Sequence, residues 1–381
     1  MKTADLTTPT LILDQSRLTR NIAAMTARVR ELGVDLRPHL KTAKSADIAR
    51  LAVNGRAGGI TVATLREAEY FLKNAFTDMT YAVPICPTKL DQAVALMDRG
   101  ADLKLLTDNV DVARLLAAHP GPKEKAIKVL VEIDCGEHRT GIDPAGPELM
   151  EIAGILNVAD GIELEGVLTH AGHSYSCRTR PEIEAVAEEE RLAVVQAAER
   201  LRDAGLSCAT VSTGSTPCVM LATDMTGVTE VRPGVYMMGD MFHVGLGTRA
   251  VDEVALTVLA SVIAHRPNEN ELYIDAGGLA LSKDRATQAF DDERDIGYGL
   301  VCNAETGAPI PGLHVASVHQ EHGQVLCDGP MPFDALPVGA KVRVIPNHVC
   351  MTVAAYGEYN VIKGDGENIE IIATWGRCNG W

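Results

Sequence analysis

Ile127-Lys128-Val129-Leu130-Val131-Glu132-Ile133, running into Asp134-Cys135-Gly136-Glu137-His138-Arg139-Thr140-Gly141, is the stretch that decides the fold. A short β-branched, apolar run followed by a turn of small and charged residues reads as a strand delivering polar groups at its end. Working outward, similar runs occur at Val34-Asp35-Leu36-Arg37, Gly59-Ile60-Thr61-Val62, Met79 to Val83, Leu103 to Leu106, Leu164 to Leu168, Ala209 to Ser212 and Val228 to Val231, which makes eight expected strands. Between them lie longer segments with apolar residues at helical spacing. Asp14 to Leu32 ends at Gly33, and Pro181 to Ala204 opens on a proline suited to a first turn and ends at Gly205. Glu188-Glu189-Glu190, inside the second of these, is expected to form a solvated helix face. Eight strand–helix units of this size match a (β/α)8 TIM barrel better than an open doubly wound sheet. No G-x-G-x-x-G follows a first strand, which weakens the dinucleotide-binding alternative.

The texture changes after about residue 250. Val254 to Ala264, Glu271 to Ala276, Lys341 to Ile345, Thr352 to Ala355 and Glu370 to Ala373 are expected strands separated by Gly, Pro, Asn and Asp. The expected division is a barrel over 15–248 and a second, mostly β domain made of 1–14 plus 249–381. Thr10-Leu11-Ile12-Leu13 has no barrel partner and is expected to pair with that β domain.

Composition narrows the function classes. The chain has 381 residues, 46% of them hydrophobic and 23% charged, which is a globular composition too long for a single core. Its 35 basic and 51 acidic residues give a net charge of −16 with no Lys/Arg-rich run, so nucleic acid and anionic membranes are disfavoured partners. Nine cysteines, an odd number without C-x-x-C pairs, read as reduced thiols of a cytoplasmic protein. The opening Met1-Lys2-Thr3-Ala4-Asp5 and the short apolar stretch after it are not expected to act as a signal peptide.

In a barrel of this type the loops after the strands converge on the mouth. Strand one leads into Arg37-Pro38-His39-Leu40-Lys41-Thr42-Ala43-Lys44, and strand six into Thr169-His170-Ala171-Gly172-His173-Ser174-Tyr175. Strand seven ends in Ser212-Thr213-Gly214-Ser215-Thr216, and strand eight in Arg232-Pro233-Gly234-Val235-Tyr236. Glycines let backbone N–H groups approach an anion and Ser215 and Thr216 add hydroxyls, so these two turns form a candidate phosphate cradle, the alternative being ordinary turns. Lys41, with Lys44, His39 and Arg37 nearby, is expected to be partly buried with a lowered pKa, as Schiff-base chemistry requires. The alternative is a surface lysine. In Pro346-Asn347-His348-Val349-Cys350, an extended backbone would put His348 and Cys350 on one face, able to bind one metal ion. Imidazole with thiolate suits zinc; a packed histidine beside a buried thiol is the alternative.

Taken together, Arg37 to Thr42, Glu132-Ile133-Asp134 with Arg139-Thr140-Gly141, Gly166 to Gly172, Val211 to Pro217, Gln320-Glu321-His322-Gly323, Pro346 to Cys350 and the closing Gly380-Trp381 resemble the D-serine dehydratase family. Its members are fold-type III pyridoxal-phosphate enzymes related to alanine racemase, and D-threonine aldolases belong to it. The likeness runs through nearly the whole chain in order. It implies pyridoxal 5'-phosphate as cofactor, with Lys41 as the Schiff-base lysine and Lys41, His170 and Tyr175 as catalytic side chains. It also implies a cofactor site of Arg139, His170, Ser212, Gly214, Ser215, Thr216, Arg232, Gly234, Val235 and Tyr236. Within it, Arg139 approaches the phenolate, His170 packs near the ring and Arg232 meets the pyridine nitrogen. His348 and Cys350 would hold a divalent metal, zinc before manganese or magnesium.

The implied activity is a lyase reaction on D-3-hydroxy amino acids. D-threo-3-hydroxyaspartate would give oxaloacetate and ammonia, and D-serine pyruvate and ammonia. An aldolase is the competing reading; aldolases of the family tend to carry aspartate where this chain has Cys350. A non-catalytic pyridoxal-phosphate carrier needs neither the β domain nor the His348/Cys350 pair, and a racemase, a further alternative, needs a second base across the ring, to which no residue is assigned. The resemblance further implies a homodimer. Ala43 departs from the histidine frequent in the family, and His173 from the residue expected in a hydroxyaspartate-type turn. His173, Lys283 and Arg285 are the cationic candidates for a second substrate carboxylate.

Overall fold

The strands are, in chain order, β1 (Thr10–Asp14), β2 (Asp35–Leu36), β3 (Ile60–Val62), β4 (Asp78–Pro84), β5 (Asp102–Thr107), β6 (Ile127–Ile133), β7 (Ile162–Thr169), β8 (Thr210–Thr213) and β9 (Glu230–Val231). They continue as β10 (Leu256–Arg266), β11 (Glu271–Ile274), β12 (Gly299–Asn303), β13 (Pro309–Val318), β14 (Gly323–Cys327), β15 (Lys341–Pro346), β16 (Glu358–Lys363) and β17 (Glu370–Gly376). The computed structural model describes residues 3–53, 59–290, 293–363 and 369–381. The chain divides into two units, Met25–Gly234 with Cys378–Trp381, and Met1–Ala24 with Val235–Arg377.

The first unit is the expected (β/α)8 barrel. β2 to β9 pair in parallel in the order β2-β9-β8-β7-β6-β5-β4-β3, and a parallel bridge between His39 and Thr61 closes the ring. Strands covered on both faces carry near-continuous apolar runs, which is why β6 is buried at six of its seven positions. Gly166 of β7 sits at φ 148°, and a Cβ there would come within 2.0 Å of the Thr210 carbonyl oxygen, so β7 and β8 approach too closely for a side chain. The helix Arg180–Asp203 starts with a capping box of Thr179 and Glu182 and has proline in its first turn. The expectation for Glu188-Glu189-Glu190 fails at one residue. Glu188 and Glu189 are solvated, but Glu190 is fully buried, because it lies on the stripe of this helix that packs with Ile183, Ala187 and Val194.

The second unit is built on a nine-stranded sheet in the order β11-β14-β13-β12-β15-β10-β1-β16-β17, and a further β10–β11 pairing closes its first six strands. β1 pairs antiparallel with β10 and parallel with β16, as the unpartnered Thr10-Leu11-Ile12-Leu13 run led one to expect. Thr352 to Ala355, expected as a strand, is helical: it falls in the turns Val349–Thr352 and Val353–Ala355. β12, β13, β14 and β16 were not legible. β13 opens Pro309-Ile310-Pro311-Gly312, and register shifts interrupt its pairing with both neighbours, so no clean alternation survives.

The division between units falls at 24/25 and 234/235, not at the expected 14/15 and 248/249. The first turns of the helix Gln15–Glu31 are tied into the β unit, where Asn21 donates to the Met237 and Glu253 carbonyls and Arg17 to the Val254 carbonyl. At the other end, the Cys378 N–H donates to the Lys44 carbonyl and anchors the last residues on the barrel. All nine cysteines are free thiols. Among the described residues no helix is long and apolar enough to cross a membrane.

Candidate active site

A cavity in the barrel unit is lined by His39, Lys41, Glu132, Arg139, His170, Gly214 and Arg232, all within or just after its strands. Lys41 follows the bridge that closes the barrel, and its backbone N–H donates to His39 Nδ1 at 3.3 Å. The structure separates it from the cations expected to crowd it. Arg37 turns into the barrel, where it pairs with Glu230 at 2.7 Å and Asp78 at 2.7 Å. Lys44 pairs with the fully buried Glu67 at 3.1 Å. Lys41 itself is exposed, not partly buried.

Arg232 is 4% exposed and donates to Ser212 Oγ and, at 2.5 Å, to the Thr169 carbonyl. Ser212 in turn donates to Glu230 at 2.7 Å, so Arg232 and Arg37 share one carboxylate through the barrel interior. Burial lowers Arg232 to about 10, opposed by Glu230, which leaves it charged at neutral pH. Its Nε is buried without a partner. An unsatisfied donor in the wall of a cavity is the complement of an acceptor ligand such as a pyridine nitrogen.

Both imidazoles of the cavity are neutral. Burial, then the positive charge of Lys41, pushes His170 down to about 3, and His39 is lowered well below its ordinary value by burial, Lys41 and Arg232. His170 Nδ1 contacts the Gly214 carbonyl oxygen and so carries the proton. Glu132, noticed in the sequence only as part of a motif, proves to be a cavity residue. It takes the Thr140 hydroxyl at 3.0 Å on one oxygen, its other oxygen has no partner, and burial raises it to about 7.

The turn after β8 has the features of an anion cradle. Ser215 caps the helix Thr216–Leu221, accepting the Cys218 N–H, and meets Ser174 Oγ at 3.0 Å. Thr216 Oγ1 is buried without a partner. A Cβ on Gly214 would lie 2.9 Å from the Arg232 nitrogen, and one on Gly234 2.5 Å from the His39 carbonyl oxygen, so both positions demand glycine. Glu190 fixes the cradle from behind: one oxygen accepts the Ala171 N–H at 2.9 Å and the Gly214 N–H at 3.0 Å, joining the turns after β7 and β8. Val235 and Tyr236, also expected here, are buried in the turn Val235–Met237 and belong to the β unit. Tyr175 lies in the turn Gly172–Ser176, half-buried and outside the lining of this cavity. Arg139 is 56% exposed beside Glu137 at 3.3 Å. His173 stands 3.9 Å from Glu189, and Arg285, in the β unit, is paired with Asp295 at 2.5 Å.

In the β unit, His348 and Cys350 are neighbours, but not by strand alternation. His348 occupies the N-cap position of the helix Val349–Thr352 without a side-chain capping bond and Cys350 sits in its first turn, so a helical turn brings imidazole and thiol together. Although burial opposes it, hydrogen bonds to Asp284 and Cys350 push His348 up to about 11. Asp284, which sequence reasoning missed because it lies 64 residues away, holds His348 Nδ1 at 2.6 Å. A carboxylate on one ring nitrogen is the arrangement that orients a ligating imidazole. No group of three His, Cys, Asp or Glu assembles as a metal site among the described residues. The pair offers two donors, an imidazole nitrogen and a thiol sulfur, of the types that bind zinc.

The family profile "Alanine racemase, N-terminal domain" matches residues 13–241, and the profile "Putative serine dehydratase domain" matches residues 255–362. The chain is 42% identical over 380 residues to D-threo-3-hydroxyaspartate dehydratase of Delftia sp. (strain HT23), covering 99% of this chain and 98% of that one. It is 33% identical to D-serine dehydratase of Dictyostelium discoideum, covering 96% and 95%. The solved structure of a cysteine-to-alanine variant of D-threo-3-hydroxyaspartate dehydratase in the metal-free form superimposes with a TM-score of 0.94 at 42% identity, over 100% of both chains. The chain belongs to the D-serine dehydratase family, in which an alanine-racemase-type barrel is joined to a mostly β domain.

Proposed function

We propose that this chain is a pyridoxal-phosphate- and divalent-metal-dependent lyase that dehydrates D-3-hydroxy amino acids, D-threo-3-hydroxyaspartate to oxaloacetate and ammonia in first place and D-serine to pyruvate and ammonia in second. The observation that carries it is the barrel cavity, where an exposed Lys41 stands with neutral His170 and a buried, charged Arg232 whose Nε lacks an acceptor. Relatives named as dehydratases at 42% and 33% identity support the reading. Pyridoxal phosphate held by Lys41 supplies an electron sink for the substrate's α-carbon, and a divalent ion on His348 and Cys350, zinc before manganese or magnesium, supplies Lewis acidity toward a departing β-hydroxyl.

The chain's own residues do the rest. Once the substrate's amino group has displaced it from the cofactor, the freed Lys41 Nζ would take the α-proton, with Tyr175 as the further candidate for proton handling. Arg232, held by Ser212 and the Thr169 carbonyl, cannot give up its proton and so keeps an acceptor nitrogen against it unprotonated. His170, neutral and fixed by the Gly214 carbonyl, packs without adding charge. Ser215, Thr216 and the backbone at Gly214 and Gly234 receive a phosphate, and Arg139 a phenolate oxygen. The protein is further proposed to be a cytoplasmic homodimer, its nine free thiols suiting a reducing compartment.

Incubation with D-threo-3-hydroxyaspartate, D-serine and D-threonine, followed by product analysis, tests the reading. Ammonia with oxaloacetate or pyruvate is expected; glycine with an aldehyde means an aldolase and overturns it.

A further inference from the structure

A cavity of about 510 Å3 opens within the β unit, bounded by the helix Gln15–Glu31 and one face of the nine-stranded sheet. Strand register explains its wall. The pairs Ile12↔Thr257, Leu259↔Arg343 and Asp14↔Ile362 put these side chains on the same face. Four of the lining residues are cations: Arg17 and Arg20, three apart on the helix, with Arg343 and Lys363 from the sheet. Among the described lining residues the one carboxylate, Asp14, is already engaged by Arg17, accepting its backbone N–H at 2.9 Å and facing its Nε at 3.4 Å.

Arg343 is the informative residue. It occupies a central strand, with Leu259 and Cys302 as its cross-strand neighbours. Only 4% of it is exposed, its Nε has no partner, and one terminal nitrogen reaches the Glu305 carbonyl at 3.4 Å. Among the described residues no carboxylate lies within 4.0 Å of it. Burial lowers its pKa to about 10, against the attraction of Asp14, and the group stays charged. A buried guanidinium with a donor left unpaired is costly unless an anion meets it. In a chain of net charge −16, four cations against one carboxylate among the described lining residues run against the overall bias.

We infer that this cavity binds a small organic anion of two or three negative charges, a phosphate monoester or a polycarboxylate, with its oxygens on Arg343, Arg17 and Arg20 and its carbon part against Ile12 and Ile362. Arginine forks match planar carboxylate and phosphate edges, and the exposed Arg20 and Lys363 gather the anion at the rim.

Calorimetric titration of cofactor-saturated protein with citrate and, separately, with inorganic phosphate, at constant ionic strength set by sodium chloride, tests this. Saturation of the barrel with cofactor keeps phosphate from reporting on the cradle. Saturable binding of at least one probe is expected. Arg20→Gln and Lys363→Gln, both at exposed positions, should each weaken it by about threefold, and Arg343→Met should abolish it. Binding of citrate alone would assign the site to polycarboxylates, and of phosphate alone to phosphate esters; both support the site. Absence of saturable binding by either probe, or affinities unchanged in the Arg20 and Lys363 variants, would overturn it. If Arg343→Met does not fold, the two exposed variants decide. An anion effect that instead follows protein concentration would assign the cavity to a second copy of the chain and equally refute the proposal.

Discussion

Glu190→Ala is the perturbation that probes the barrel site most sharply without touching a cavity-lining residue. The carboxylate is fully buried, and one of its oxygens satisfies two backbone donors, Ala171 N–H and Gly214 N–H, at 2.9 and 3.0 Å. Truncation leaves both donors buried and unpaired, at about 1–3 kcal/mol each, or about 2–6 kcal/mol together. Part of that is offset, because burial already disfavours the charged carboxylate and raises its pKa. The net loss expected is about 2–4 kcal/mol. Glu190→Gln keeps the acceptor oxygen for both backbone donors but buries an unpartnered amide in place of the second oxygen, at about 1–3 kcal/mol, so it should fall between the alanine variant and the parent. Urea unfolding of cofactor-free protein, followed by circular dichroism, reads the stability. Titration with pyridoxal phosphate, followed by visible absorbance, reads the cradle, which in the alanine variant should bind at least tenfold more weakly. An alanine variant within 0.5 kcal/mol of the parent (about the scatter of surface substitutions) and with unchanged cofactor affinity would refute the clamp.

Glu132 ties stability to pH. Its folded-state pKa of about 7 lies above the ordinary 4.5, so its contribution is fully present below about 4.5 and is lost as pH rises through 7. That 2.5-unit difference corresponds to about 3 kcal/mol. Urea midpoints of cofactor-free Glu132→Gln and parent should therefore diverge between pH 5 and 8.5 in the variant's favour; a pH-independent difference would contradict it. Gly234→Ala, whose new Cβ would lie 2.5 Å from the His39 carbonyl oxygen, should cost at least tenfold in cofactor affinity by the same absorbance titration. His348→Ala should strip the bound divalent ion, measured by atomic emission, and stop turnover while visible cofactor absorbance persists. Retained metal would move that site elsewhere.

The barrel was legible because its strands are covered on both faces, so that Ile127 to Ile133 and its counterparts stand out as apolar runs without a hydrophobic period to decipher. The β unit was less so. Its missed strands mix prolines, glycines and register shifts, as at Pro309-Ile310-Pro311-Gly312, and their pairing is set by partners far along the chain. At the site, Lys41, His170, Gly214 and Arg232 could be expected together because each follows a different barrel strand, and the cavity lining does unite them. The charge partners could not be read. Nothing local says that Arg37 and Lys44 are neutralised by Glu230, Asp78 and Glu67, or that the third glutamate of an acidic run turns inward to hold two loops. The extended spacing that pairs His348 with Cys350 is the wrong geometric reason, since the two meet through the first turn of a helix and not on a strand face. Asp284, on His348, has no sequence signal at all, being a tertiary neighbour 64 residues away.

The most direct measurement is borohydride reduction of the purified, pyridoxal-phosphate-supplemented protein followed by peptide mapping. A phosphopyridoxyl group on Lys41, with Lys44 three residues on left unmodified in its ion pair with Glu67, is the result expected. Label on Lys44 or on another lysine, or a protein that takes up no label, would contradict the account at its centre.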